Sequence, residues 1–205
     1  MVGFGPKQAW LAVREGAAEP VANALGLRDL GPVPWRSGVD LAYLTDDRLV
    51  LTPPLPGAGG ARWLLVAGRW LLLQADRPVD VALLSATLGT EVQFFATYRV
   101  GELHRWARAR DGRLVRSFGF RGEDGEVTDW QGEPDAVETA MGLPVEGPAP
   151  DGSGGVPGGP GAGSGGPEIL VSEHDVMRLA EAWSVDPSSL DSRPAPGPLR
   201  VAAAP

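Results

Sequence analysis

Short apolar runs alternate with amphipathic stretches from residue 7 to residue 143, and this pattern predicts a body built of both strands and helices. Short runs rich in apolar and β-branched residues indicate strands, whereas apolar positions three and four apart followed by Gly indicate helices. The predicted strands are residues 8–14, 41–46, 48–52, 62–67, 70–74, 91–99, 102–110, 113–121 and 126–131. The predicted helices are residues 17–25, 78–88, 134–141 and 172–183.

Two Asp-Gly pairs predict a meander in the middle of the chain. The first, Asp111 with Gly112, separates two strand-like runs, and the second, Asp124 with Gly125, precedes a third. Asp-Gly favours two-residue hairpin turns because both turn positions take a positive φ. Together with the helices, the meander predicts an α+β fold with a largely antiparallel sheet and short helices packed on it.

A weak internal echo accompanies this pattern. Residues 10–13 precede a helix that ends at Gly26, and residues 70–73 precede a helix that ends at Gly89. The spacing leaves open a duplicated β-α-β-β unit, with chance similarity as the alternative.

The composition changes after residue 143 and divides the chain into four parts. Residues 7–143 form the α+β body, and residues 144–167 contain 10 Gly and 6 Pro among 24 residues, which predicts a disordered linker. Residues 168–187 contain the C-terminal amphipathic helix, and residues 188–205 are predicted to be a disordered tail.

The C-terminal helix has a clear start and one apolar stripe. Ser172 can cap it, and Asp175 can complete a capping box. Its apolar residues, which include Val176 and Trp183, recur at helical spacing. A short helix is marginal alone in water, so we expect the stripe to dock either on its own body or on a partner.

A regular ladder from the first Asp-Gly turn fixes the expected neighbours in the meander. It pairs Arg110 with Arg113 and therefore Trp106 with Ser117, and it places Phe118 on the face opposite Trp106. On this register, His104, Trp106 and Trp130 surround Gly119 on one face.

The meander is rich in arginine. Residues 99–121 carry seven Arg against two acidic residues, a net charge of +5, whereas residues 142–205 carry eight acidic and three basic residues, a net charge of -5. One interpretation is a solvated strand face that resists edge pairing, and the other is a docking surface for an acidic partner. The acidic C-terminal part of the same chain is a candidate for that partner. The candidate partner-binding residues are Arg105, Arg108, Arg113, Arg116, Trp106 and Trp183.

Composition excludes several kinds of chemistry. The chain has no Cys and 2 His, which excludes disulfides, thiolate metal sites and multi-histidine metal sites. A net charge of -8 argues against general nucleic-acid binding. No signal peptide or membrane-length apolar run is visible, so we expect a cytoplasmic protein that acts without membrane or cofactor.

Parts of the chain resemble a group of uncharacterised proteins from actinobacteria and related high-GC bacteria. The resemblance rests on residues 92–100, 104–109 and 111–116 and on C-terminal residues 173–177 and 182–187, about a third of the chain. The group has no established activity, so the resemblance implies no site residue.

These observations favour a non-enzymatic protein-binding module, of which an immunity-type or accessory protein is one example by analogy of size and style. The alternative is a hydrolase or transferase that uses carboxylates with His104 as base. A third hypothesis is a structural or regulatory subunit whose C-terminal helix docks on its own body.

Overall fold

A computed structural model describes residues 1–73, 79–123, 125–145, 147 and 169–205 of the chain. Its centre is a 10-stranded antiparallel sheet in the order β2-β10-β3-β5-β1-β6-β7-β8-β9, with β4 paired to β5 beside this path. The strands are β1 (Ala9–Arg14), β2 (Arg28–Val33), β3 (Arg48–Leu51), β4 (Leu55–Pro56), β5 (Arg62–Ala67), β6 (Val92–Tyr98), β7 (Leu103–Arg110), β8 (Arg113–Arg121), β9 (Glu126–Gln131) and β10 (Leu199–Ala203). The helices are α1 (Ala18–Ala24), α2 (Trp35–Leu44), α3 (Arg69–Leu73), α4 (Val81–Leu88), α5 (Ala136–Ala140) and α6 (Glu173–Trp183). The predicted α+β class with a largely antiparallel sheet is confirmed.

Helices cover both faces of the sheet, so the strands are apolar on both sides. We call the face covered by α2, α5 and α6 the front face; its core includes Trp10, Phe95 and Trp106. The back face is covered by α1, α3 and α4, and its core includes Leu11 and Phe94. Successive residues of a strand alternate between the two cores, as the pleat requires.

The C-terminal helix docks on its own body. Its capping box forms as predicted, with Ser172 and Asp175 bonded reciprocally. Val176 and Leu179 are fully buried in the front core. The structure therefore shows this helix docked on its own body.

The prediction of a disordered tail over residues 188–205 is wrong. Residues 199–203 form β10, which lies inside the sheet and pairs with both β2 and β3. Leu199 and Val201 are buried in the front core. The Pro-rich sequence before the strand indicated disorder, but pairing on both edges and burial of apolar side chains stabilise this segment. The predicted linker lies almost entirely outside the described residues.

Two predicted strands are helices in the structure. Residues 41–44 belong to α2, whose Trp35, Val39 and Ala42 are buried at helical spacing. Residues 70–73 belong to α3. Because the second segment of the internal echo is helical while the first is β1, the two segments do not form equivalent β-α-β-β units.

The first Asp-Gly hairpin forms as predicted, but its ladder is interrupted. Asp111 and Gly112 take positive φ values of 50° and 72°, and β7 pairs with β8 from Arg110 and Arg113 onward. A bulge between Arg108 and Ala109 then shifts the register by one residue.

This shift corrects the predicted faces. Trp106 pairs with Phe118 instead of Ser117, and the two rings stack 4.3 Å apart in the front core. Gly119 faces the back of the sheet, away from Trp106 and Trp130. The aromatic cluster around Gly119 that a regular ladder predicts does not form.

Candidate functional site

Arg116 is held inside the front core. Its side chain is 3% exposed, and its Nε donates to Oε1 of the fully buried Glu138 at 2.8 Å. The Trp106 indole donates to the same oxygen at 2.7 Å, and the Arg116 guanidinium lies 4.4 Å from the Trp130 ring centre. This cluster joins β8, β7 and α5, and it offers no free guanidinium to a partner.

Arg108 and Arg110 share one buried carboxylate. Arg108 donates to Glu91 at 2.5 Å and Arg110 at 3.0 Å, while Gln93 donates to the same carboxylate at 2.7 Å. Burial alone would raise the pKa of Glu91, but these hydrogen bonds and the positive charge of Arg108 hold the pKa below its usual value. Glu91 is therefore ionised at neutral pH and offsets part of the positive charge at the turn end of the hairpin.

Trp183 is part of the same interior arrangement. It is 4% exposed, its indole donates to Asp135 at 2.6 Å, and the Arg108 guanidinium lies 5.0 Å from its ring centre. Its ring also packs against Phe95 at a centroid distance of 5.9 Å. Trp183 packs α6 against the sheet and does not present an exposed aromatic surface.

Arg105 and Arg113 are the predicted residues that reach the back face or solvent. Arg105 lies opposite Gly119 in the ladder between β7 and β8, and its guanidinium pairs with Asp129 at 3.1 Å. Arg113 is exposed and makes no ion pair with any other described residue. The six predicted partner-binding side chains therefore do not form one exposed surface.

His104 is a buried packing residue. It is 4% exposed, and its Nδ1 lies 3.1 Å from Oγ1 of Thr97. Burial lowers the pKa of His104, although the charges of Glu173, Asp175 and Glu102 oppose this effect. The imidazole is neutral at pH 7 and lines neither of the two described cavities.

A groove of about 280 Å³ lies on the back face beside the first turn of α4; we call it the α4 groove. Phe94, Ala107 and Leu114 form an apolar floor, and Ser117 and the Arg105–Asp129 pair lie beside it. The wall supplied by α4 consists of residues 79–82.

The α4 groove has spare hydrogen-bond acceptors and a negative balance. Its charged residues are Asp80, Asp129 and Arg105, so one carboxylate is unbalanced. Asp80 uses Oδ1 to cap α4 through the Leu83 amide, and Asp129 uses Oδ2 for Arg105 and the Ser117 hydroxyl. The other carboxylate oxygens have no hydrogen bond to the part of the chain that is described.

Sequence reasoning missed Asp80, Ser117 and Asp129 as groove residues. The available signal was the pair of short side chains Ala107 and Ser117, which face each other on β7 and β8 and line the groove. The bulge concealed it, because the regular ladder put Ser117 on the wrong face.

Comparison of the chain with protein-family models, with curated proteins and with solved structures found no match. Within the described ranges, no helix has the length and apolar character of a membrane span. The same ranges contain no cluster of three or more residues suited to holding a metal ion. The arrangement that these residues do offer is a groove with an apolar floor and carboxylates at its edge.

Proposed function

We propose that this chain is a non-enzymatic protein-binding module and that the α4 groove receives an apolar side chain from a basic segment of its partner. The observation that carries the proposal is the combination of an apolar floor with an unbalanced carboxylate in one concavity. Such a pocket suits a single anchoring side chain, the usual centre of a protein interface.

The size of the groove favours a protein partner over a small molecule. Pockets that enclose drug-sized ligands measure roughly 300–1,000 Å³, and the α4 groove, at about 280 Å³, falls just below that range. A single side chain fits, while the rest of the partner can rest on exposed Leu83 of α4, whose exposed fraction is 64%.

Charge favours a basic partner. The α4 groove carries Asp80 and Asp129 against Arg105, and the whole chain has a net charge of -8. Complementary charge speeds encounter and selects partners of opposite sign. An immunity-type protein that blocks a basic enzyme is one role within this class.

We place the contact at the α4 groove because the arginine-rich surface is largely engaged inside the chain. Arg108 and Arg116 bind buried carboxylates, and Trp106 and Trp183 are core residues. The alternative of a carboxylate-based enzyme gains no support from His104, which lies apart from both described cavities.

The test is a selection of random dodecapeptides displayed on phage against the immobilised protein. We expect enrichment of sequences with an apolar residue beside Lys or Arg, and weaker binding as salt increases. Ala82→Trp fills the groove from its wall, so it should weaken an enriched peptide at least about tenfold.

The matched control is Ala140→Trp, which places the same side chain at an exposed position on α5. It should leave peptide binding unchanged, and thermal unfolding checks that both variants are folded. Failure to enrich any motif, or full binding by the folded Ala82→Trp variant, would refute the proposal. Enrichment of acidic motifs would point back to the arginine side chains.

A further inference from the structure

A second and larger cavity, of about 450 Å³, lies on the back face at the other end of the sheet; we call it the α1 groove. Its floor is apolar and supplied by three elements, with Leu51 from β3, Ala202 from β10 and Ala22 from α1, all buried. Leu27 also lines the groove. This volume falls within the roughly 300–1,000 Å³ of pockets that enclose small molecules.

The two walls of the α1 groove differ in their polar groups. One wall is α1, where Glu19 and Asn23 lie one helical turn apart and have no side-chain hydrogen bond or ion pair within the described residues. The opposite wall carries an ion pair between Asp29 and Arg200, and Asp29 also accepts from the Gly31 amide. Arg200 holds the pKa of Asp29 below its usual value, so both members of the pair are charged at neutral pH.

The charges of the walls select a cationic ligand. Asp29 and Arg200 compensate each other, which leaves the Glu19 carboxylate as the unbalanced charge of the α1 groove. An anionic ligand would meet two carboxylates against one guanidinium. An ammonium group can pair with Glu19 and donate to the Asn23 amide oxygen, while an alkyl or aryl body covers the apolar floor.

We propose that the α1 groove binds a small organic ammonium ion with an apolar body. This site is separate from the α4 groove, because the two share no lining residue. Its failure would leave the protein-binding proposal standing, and the reverse also holds.

The experiment is a two-dimensional amide NMR titration of the full chain with hexylamine and phenethylamine. We expect saturable shifts of the amides of Asn23, Leu27 and Ala202, which surround the α1 groove. Hexanoate and 3-phenylpropionate have the same apolar bodies and the opposite charge, and we expect no saturable shift with either.

Two variants connect the response to the α1 groove. Glu19→Gln removes the unbalanced charge and should weaken amine binding about fivefold, as the loss of an exposed ion pair allows. Glu181→Gln is the matched control at an exposed position on α6 and should bind as the parent does. Ala18→Phe fills the rim of the groove and should abolish the shifts.

The proposal is overturned by any of three results. The amines produce no saturable shifts, the carboxylates bind as tightly as the amines, or Glu19→Gln and Glu181→Gln bind equally well. The amide spectrum itself reports whether each variant is folded. If Ala18→Phe does not fold, the comparison of the two glutamate variants still decides.

Discussion

Removal of the Glu138 carboxylate should destabilise the protein strongly. Glu138 is fully buried and accepts hydrogen bonds from Arg116, from the Trp106 indole and from the Asp135 amide. In Glu138→Ala the Arg116 cation keeps its position in the core without an opposing charge. Breaking a buried pair in this way costs about 3–5 kcal/mol.

We expect the loss in free energy of unfolding to lie in the upper part of that range. The Trp106 indole N–H would also lose its acceptor, and an unpaired buried donor costs about 1–3 kcal/mol. Urea unfolding followed by tryptophan fluorescence measures the change directly. For a protein of this size, the same loss lowers Tm by about 2–4 °C per kcal/mol.

One further variant removes both charges of the buried pair, and another serves as an exposed control. Arg116→Met combined with Glu138→Gln removes both charges and keeps an acceptor for the Trp106 indole, so it should recover most of the lost stability. Asp46→Ala breaks the exposed pair with Arg69 and should change stability by less than about 1 kcal/mol. The reasoning is refuted if Glu138→Ala loses no more than Asp46→Ala.

Three more perturbations test other parts of the fold. Val201→Asp places a charge in the buried strand β10 and should cost about 3 kcal/mol or more in urea unfolding. Because burial lowers the pKa of His104 below 6.5, the unfolded chain binds the proton first, and stability should fall as pH drops below about 6.5. His104→Gln should flatten this slope. Because the pKa of Glu91 is lowered, its ionised carboxylate stabilises the fold above pH 4.5, and this stabilisation is lost as the pH falls further. In Glu91→Gln the free energy of unfolding should therefore lack this part of the decline at acid pH.

Local signals predicted the elements that are fixed by local chemistry. Asp111 with Gly112 supplied the two positive φ values of the hairpin, and Ser172 with Asp175 supplied the cap of α6. Residues 113–121 and 126–131 were placed correctly for the same reason, since turns bound both runs.

The remaining features depend on contacts distant in sequence. Strand β10 follows a Pro-rich stretch and is stabilised by β2 and β3, which precede it by more than a hundred residues. The bulge at Arg108 has no local marker, yet it decides which face Phe118 and Ser117 occupy. The one-residue register shift at this bulge therefore altered the prediction of the candidate site more than the errors in secondary structure did.

The fold explains the charge pattern of the chain. Of the seven Arg in residues 99–121, five pair with acids outside that segment. Glu91 directly precedes β6, Glu126 and Asp129 lie on β9, and Glu138 lies on α5. A positive block along the sequence thus becomes a nearly neutral region in space. We propose that recognition by charge depends on the carboxylates left unbalanced, and both back-face grooves have one. This is why the sign of the partner that we propose is opposite to the sign that the arginine count alone suggests.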